Sequence, residues 1–163
     1  MTCQERLEAY LHEQQVSFAV QHHRSAYTAQ EVAASQHIPG KLVAKVVVVF
    51  ADDALVMLVL PASHRVDLTR VGAAIGARSI SFAGEGELAA TFPDCAVGAM
   101  PPFGNLYNLP VYVDRMLAED ATIVFQAGTH TDTIRMAYAD FARLVKPTVV
   151  AFAYHLQDIP AYV

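Results

Sequence analysis

A chain of 163 residues has the size of one folding unit and leaves no room for a second hydrophobic core. With 54% hydrophobic and 17% charged residues it is not a disordered chain, since burial on that scale offsets conformational entropy. A formal charge of −5 excludes a broad grip on nucleic-acid phosphates, DNA included, because that grip needs clustered Lys and Arg.

The first residues, Met1 to Arg6, lack the charged start and apolar core of a secretory signal, so a cytoplasmic location is expected. Thr2 and Glu5 have capping-box spacing, and Leu7, Tyr10 and Leu11 follow at helical intervals, predicting an amphipathic helix to about Gln15. Thr28 and Glu31 repeat the signal for a second helix that ends near His37, ahead of Pro39 and Gly40. Lys45 to Phe50 is almost purely β-branched, and Asp52 and Asp53 separate it from Ala54 to Leu60, which predicts a hairpin at the centre of a sheet. These apolar runs are too short to span a bilayer, and no membrane partner is expected.

Asp67 caps a predicted helix to Ile75 that Gly76 ends; a short strand over Ser79 to Phe82 and a helix near Glu87 follow. Further strands are predicted at Cys95 to Gly98, Val111 to Val113, Thr122 to Gln126, Thr133 to Met136 and Val149 to Ala153, with a helix over Tyr138 to Leu144. Strands joined both by tight turns and by helices imply a mixed α/β (α+β) domain, not a doubly wound parallel sheet. Cys3 and Cys95 share no CxxC spacing, so neither a disulfide framework nor a cysteine zinc site is expected, and Cys95 reads as a buried packing residue.

Lys45 opens an apolar strand, where a charge costs free energy unless it reaches water or a partner such as phosphate. A strand-end lysine that snorkels to solvent is the ordinary alternative, and it applies more strongly to Lys41 near the loop. Met100 to Gly104 must form a rigid loop, because two prolines remove donors and Gly104 permits a sharp turn; such a loop walls a pocket or merely turns a corner, with Asn105 and Tyr107 beside it. Gly128, Thr129, His130, Thr131 and Asp132 lie between two predicted strands. That turn either docks a small oxyanion or ester on its backbone amides or satisfies its own backbone with its hydroxyls and carboxylate. His22 and His23 point to opposite faces of a strand and have no accompanying acidic or cysteine cluster, so no metal site is read there.

Three stretches together resemble the YbaK and prolyl-tRNA-synthetase-associated editing-domain family: Ala26 to Lys45, Val97 to Asp114 with GAMPPFGNLYNLPVYVD, and Phe125 to Met136 with FQAGTHTDTIRM. The resemblance covers nearly the whole chain as one editing domain, residues 1–163, and implies a curled, mixed β-sheet flanked by helices. It implies an aminoacyl-tRNA deacylase that hydrolyses mischarged tRNA, tRNA(Pro) foremost, in trans, without metal or other cofactor. By that resemblance Lys45, Gly128 and His130 are the catalytic residues. Tyr27, Thr28, Gly98 and Pro101 would bind substrate, together with Pro102, Phe103, Gly104, Thr129 and Asp132. The implied partners are the mischarged tRNA acceptor end and prolyl-tRNA synthetase. Two rival readings remain at this point, a non-catalytic module that binds tRNA or a synthetase and a hydrolase of another small aminoacyl ester.

Overall fold

The computed structural model describes residues 1–24, 28–36 and 38–155. Helix α1 (Cys3–Glu13) starts where Thr2 Oγ1 accepts the Glu5 amide at 3.1 Å and buries Cys3, Leu7 and Leu11 on one face. Strand β1 (Phe18–His22) leads to α2 (Ala29–Ser35), capped by Thr28, whose Oγ1 accepts the Glu31 amide at 3.0 Å. Both expected caps are therefore present, although the expected end of α2 at His37 lies outside the described residues.

The expected hairpin is β2 (Ala44–Ala51) against β3 (Ala54–Pro61), antiparallel from Ala44↔Pro61 to Ala51↔Ala54. Beyond it come β4 (His64–Val66), α3 (Leu68–Ile75), β5 (Ile80–Phe82) and α4 (Glu85–Thr91). Asp67 Oδ1 caps α3 and Gly76 ends it at φ 74°, as the sequence signals require. The remaining elements are β6 (Val111–Asp114), α5 (Arg115–Ala118), β7 (Thr122–Gln126), β8 (Asp132–Ala137), α6 (Tyr138–Val145), β9 (Thr148–Val150) and β10 (Ala153–His155).

A five-stranded sheet runs β5-β2-β3-β6-β9, antiparallel up to β3 and parallel beyond it. A three-stranded antiparallel sheet, β1-β8-β7, adjoins it through the parallel bridge Val43↔Val124, and β10 pairs β4 separately. This is the mixed α/β arrangement expected. β3 is buried on both faces: Met57 and Val59 join one core cluster with Leu7, Leu11, Phe103 and Phe125, while Val56, Leu58 and Leu60 join another with Val71 and Phe152. The strand's period of 2 explains how one apolar run feeds clusters on both faces of the sheet within one domain. Among the described residues no helix is long and apolar enough to cross a membrane.

Three expectations require correction. Residues 95–98 are not a strand: Ala99 N–H closes a turn onto Ala96 O at 3.0 Å, and the segment hydrogen-bonds to Gly128. The single strand expected at Val149 to Ala153 is split into β9 and β10, because Asp114 Oδ1 accepts the amides of Phe152 (2.9 Å) and Ala153 (3.0 Å) and turns the chain away from β6 towards β4. Cys3 and Cys95 do not stand apart; they form a disulfide with a Cα separation of 5.0 Å, which ties the start of α1 to the segment before the proline loop.

Candidate active site

Lys45 lies on the same face of β2 as Val47 and Val49, but at the strand's beginning, where the apolar cluster stops. Its ammonium opens into a cleft of about 200 Å³ lined by Thr28, Ala29, Gln30, Lys45 and Arg65. Burial pushes the Lys45 pKa below the usual lysine value, and the like charge of Arg65 pushes it further the same way. Lys41, in contrast, reaches Asp120 at 3.7 Å and is an ordinary structural pair. Tyr27 lies outside the described residues, while Thr28 lines the Lys45 cleft and caps α2 at once.

The turn after β7 is built from its own side chains. Thr129 Oγ1 donates to Asp132 Oδ2 at 2.7 Å, Thr131 Oγ1 donates to the same oxygen at 3.0 Å, and His22 Nδ1 lies 3.2 Å from Asp132 Oδ1. Burial alone raises the Asp132 pKa, but the bonds from Thr129, His22 and Thr131 outweigh it and hold the carboxyl below its ordinary value. Asp132 and Thr129 thus set the shape of the turn.

His130 braces that turn against the segment before the prolines. Its Nε2 donates to Val97 O at 3.1 Å and its Nδ1 lies 3.5 Å from Gln126 Nε2. A Cβ built on Gly98, at φ 87°, would lie 3.7 Å from the His130 ring, so the exposed Gly98 backbone and the imidazole face one another. Gly128 sits behind them, buried at φ 95°, with its N–H given to Ala99 O at 2.9 Å and its C=O accepting from Ala96 N–H at 2.9 Å. Its own amide is therefore committed to holding the two segments together and not to a ligand. A Cβ there would lie 2.5 Å from Cys3 Sγ and 2.7 Å from Cys3 Cβ. Gly128→Ala is expected to destabilise the fold by about 2–3 kcal/mol, from positive-φ strain plus overpacking. A urea midpoint unchanged from the parent protein would contradict this.

The proline loop contributes shape through packing. Pro101, Pro102, Phe103 and Gly104 are all buried. Phe103 makes edge contacts with Tyr10 and Phe141 at centroid distances of 6.2 and 5.5 Å, and a Cβ on Gly104 would meet Val111 Cγ2 at 2.6 Å. The Phe103 ring belongs to the core and presents no surface to a ligand. Asn105 donates to Tyr10 Oη at 3.1 Å, and Tyr107 Oη donates to Asp94 at 3.0 Å, with its pKa pushed up to about 12 by burial and that carboxylate. Arg6 stacks 4.7 Å over the Tyr107 ring and bonds to Leu106 O, so α1 and its disulfide back the whole loop. Cys3, Asp94 and Cys95 bring ligand-type atoms within 4.8 Å of one another, but two bonded sulfurs do not supply thiolate ligands.

The described contacts thus form two groups, Thr28 with Lys45 and Arg65, and Gly98 with Gly128 and His130. The bridge Val43↔Val124 relates them: the chains run the same way there, so Lys45 and Gln126 each follow two residues on, and Gln126 leads to His130. Arg65 and Gln126 were not singled out from the sequence. In the three-residue strand His64–Val66 no local pattern marks Arg65, and none marks Gln126.

The model of the aminoacyl-tRNA editing domain matches residues 23–144, more than half of the chain. The chain belongs to the aminoacyl-tRNA editing domain family. A relative within reach of this editing domain is the multifunctional Ser/Thr-tRNA deacylase ProXp-y of Escherichia coli (strain K12), 31% identical over 98 residues, which are 60% of this chain and 58% of the relative. The match thus spans under two thirds of the relative's length. Among solved structures, a proposed trans-editing enzyme for prolyl tRNA synthetase superposes with a TM-score of 0.81 at 19% identity, covering 94% of this chain and 98% of that one. A hypothetical protein superposes with a TM-score of 0.82 at 16% identity, covering 91% and 99%. These two likenesses establish that the editing domain has their fold.

Proposed function

We propose that this editing domain is an aminoacyl-tRNA deacylase, hydrolysing the ester between a wrongly attached amino acid and the terminal ribose of a tRNA. The half-buried Lys45 ammonium in its cleft is the observation that carries the reading, together with family membership. In the reaction, water adds to the ester carbonyl, the carbonyl carbon to ribose oxygen bond breaks, and the ribose hydroxyl leaves with a proton. An aminoacyl ester is already activated, so placement of water and charge stabilisation suffice and no protein nucleophile is required. Lys45 anchors the phosphate or carbonyl region as a cation, since an ammonium is a poor base at neutral pH. The ribose hydroxyl beside the ester orients the water. His130 and Gly128 hold the turn after β7 against residues 96–99, through Val97 and Ala99.

The relative named as a Ser/Thr-tRNA deacylase makes Ser- and Thr-charged tRNA the first substrates to test, with tRNA(Pro) carriers included because of the proposed prolyl-tRNA-synthetase editing neighbour. The acidic charge balance favours recognition at the acceptor end, with prolyl-tRNA synthetase as the partner that delivers substrate. The test is a deacylation screen of purified tRNAs charged with serine, threonine or alanine, in parallel with acceptor-stem mimics and free amino-acid esters. Turnover above the uncatalysed blank is expected for at least one mischarged tRNA and for its mimic. Binding without turnover, or turnover of free esters alone, would overturn the proposal.

A further inference from the structure

The acids of this chain outnumber its Lys and Arg residues 16 to 11, and its ion pairs use that excess: Lys41 meets Asp120, Arg6 meets Asp94, Arg70 meets Asp67 and Arg143 meets Asp140. Against that background the cleft at the start of β2 is anomalous. Lys45 and Arg65 both line it, they repel one another, and among the described residues neither has a carboxylate within ion-pair distance. Two like charges in a partly desolvated cleft are stable together when an anion is shared between them.

We infer that Arg65 is a second substrate-anchoring residue, which with Lys45 grips a phosphodiester of a nucleic-acid chain end in the cleft lined by Thr28, Ala29 and Gln30. The inference rests on the tRNA reading above and deepens it. Arg65 emerges from β4 between the buried His64 and Val66, so its backbone is fixed while its side chain is exposed. β10 pairs with β4 across Tyr154↔Arg65, which holds that strand in place. A planar guanidinium suits the paired oxygens of a phosphodiester, whereas Lys45 supplies a compact charge from the start of β2. Thr28 Oγ1 accepts the Glu31 amide and so retains its O–H to donate to an anion in the cleft. No other group is needed to balance a single negative charge shared by two cations.

The experiment has a binding arm and a kinetic arm. In the first, a fluorescent, uncharged RNA oligonucleotide with the acceptor-end sequence is titrated with the parent protein, Arg65→Ala and Arg65→Lys across a salt series. Arg65→Ala is expected to weaken binding about tenfold and to lower the slope of log K against log salt by about one, while Arg65→Lys keeps most of both. In the second arm, single-turnover deacylation compares mischarged tRNA with the matching aminoacyl-adenosine, which lacks the phosphate. Arg65→Ala is expected to raise the half-saturating tRNA concentration about tenfold, with the maximal rate and the aminoacyl-adenosine rate unchanged. Unaltered oligonucleotide affinity and salt slope in a folded Arg65→Ala protein would overturn the inference. So would an equal loss on aminoacyl-adenosine, or inorganic phosphate competing as well as the oligonucleotide. If the parent protein hydrolyses no charged tRNA, the deacylase reading fails, and the binding arm still decides the role of Arg65.

Discussion

Lys45→Ala is expected to lower single-turnover deacylation of mischarged tRNA by about 10² to 10³-fold, the loss typical when one preorganised electrostatic contact is removed, here the cation that holds the phosphodiester next to the reacting ester. The fold is expected to survive, because Lys45 sits at the strand's start outside the apolar clusters, and truncation there opens no core cavity. The pH profile gives a second readout with a definite sign. Burial and Arg65 lower the Lys45 pKa, so its ammonium is lost at a lower pH than that of a free lysine. Turnover corrected for the blank should therefore be highest where the lysine is charged and fall as pH rises through the lowered pKa. Arg65→Ala removes the like charge and should move that alkaline limb upward. Undiminished turnover by folded Lys45→Ala protein would refute an electrostatic role for Lys45, and an alkaline limb unmoved by Arg65→Ala would refute the influence of Arg65 on the Lys45 ammonium.

The parts of this fold that were legible in the sequence are those specified within a few residues. Thr2, Thr28 and Asp67 are side-chain caps, Gly76 is a left-handed stop, and β2 and β3 are β-branched runs divided by two aspartates, each a local instruction. The misread segments are decided by distant partners. Nothing in residues 95–98 tells a reader that Gly128 claims their backbone groups, and nothing in Val149 to Ala153 says that Asp114 will capture two of its amides. The same division holds at the site. Lys45 stood out because a lysine heading an apolar strand violates a local rule, but that rule left a snorkelling lysine open, and only the family resemblance gave it a role. The proline loop was legible as rigid, but whether Phe103 faces a ligand or the core depends on Tyr10 and Phe141, which lie far from it in sequence. Arg65 acquires meaning only beside Lys45.

Reduction of the Cys3–Cys95 disulfide is expected to lower the stability of this chain by several kcal/mol. The bond joins residues 92 apart, and closing a loop of that length lowers the entropy of the unfolded chain by an amount worth roughly 4–5 kcal/mol. For a domain of this size that corresponds to a fall in Tm of roughly 10–15 °C. The effect should reach the site, because the disulfide lies directly behind Gly128, at 2.5 Å from the position a Cβ would take, and Gly128 ties residues 96–99 to the turn that His130 braces. The bond also has company that favours it. Arg6, Asp94 and Tyr107 already join α1 to the same segment, so the two sulfurs are held near one another before they bond. The measurement is thermal unfolding of the protein with and without dithiothreitol, repeated on Cys3→Ser with Cys95→Ser, alongside deacylation under each condition. Both the reduced protein and the double variant should unfold at the lower temperature, and reductant should then leave the double variant unaffected. Reagent-accessible thiols in the untreated protein, or equal Tm values with and without reductant, would show that the bond is absent or contributes nothing.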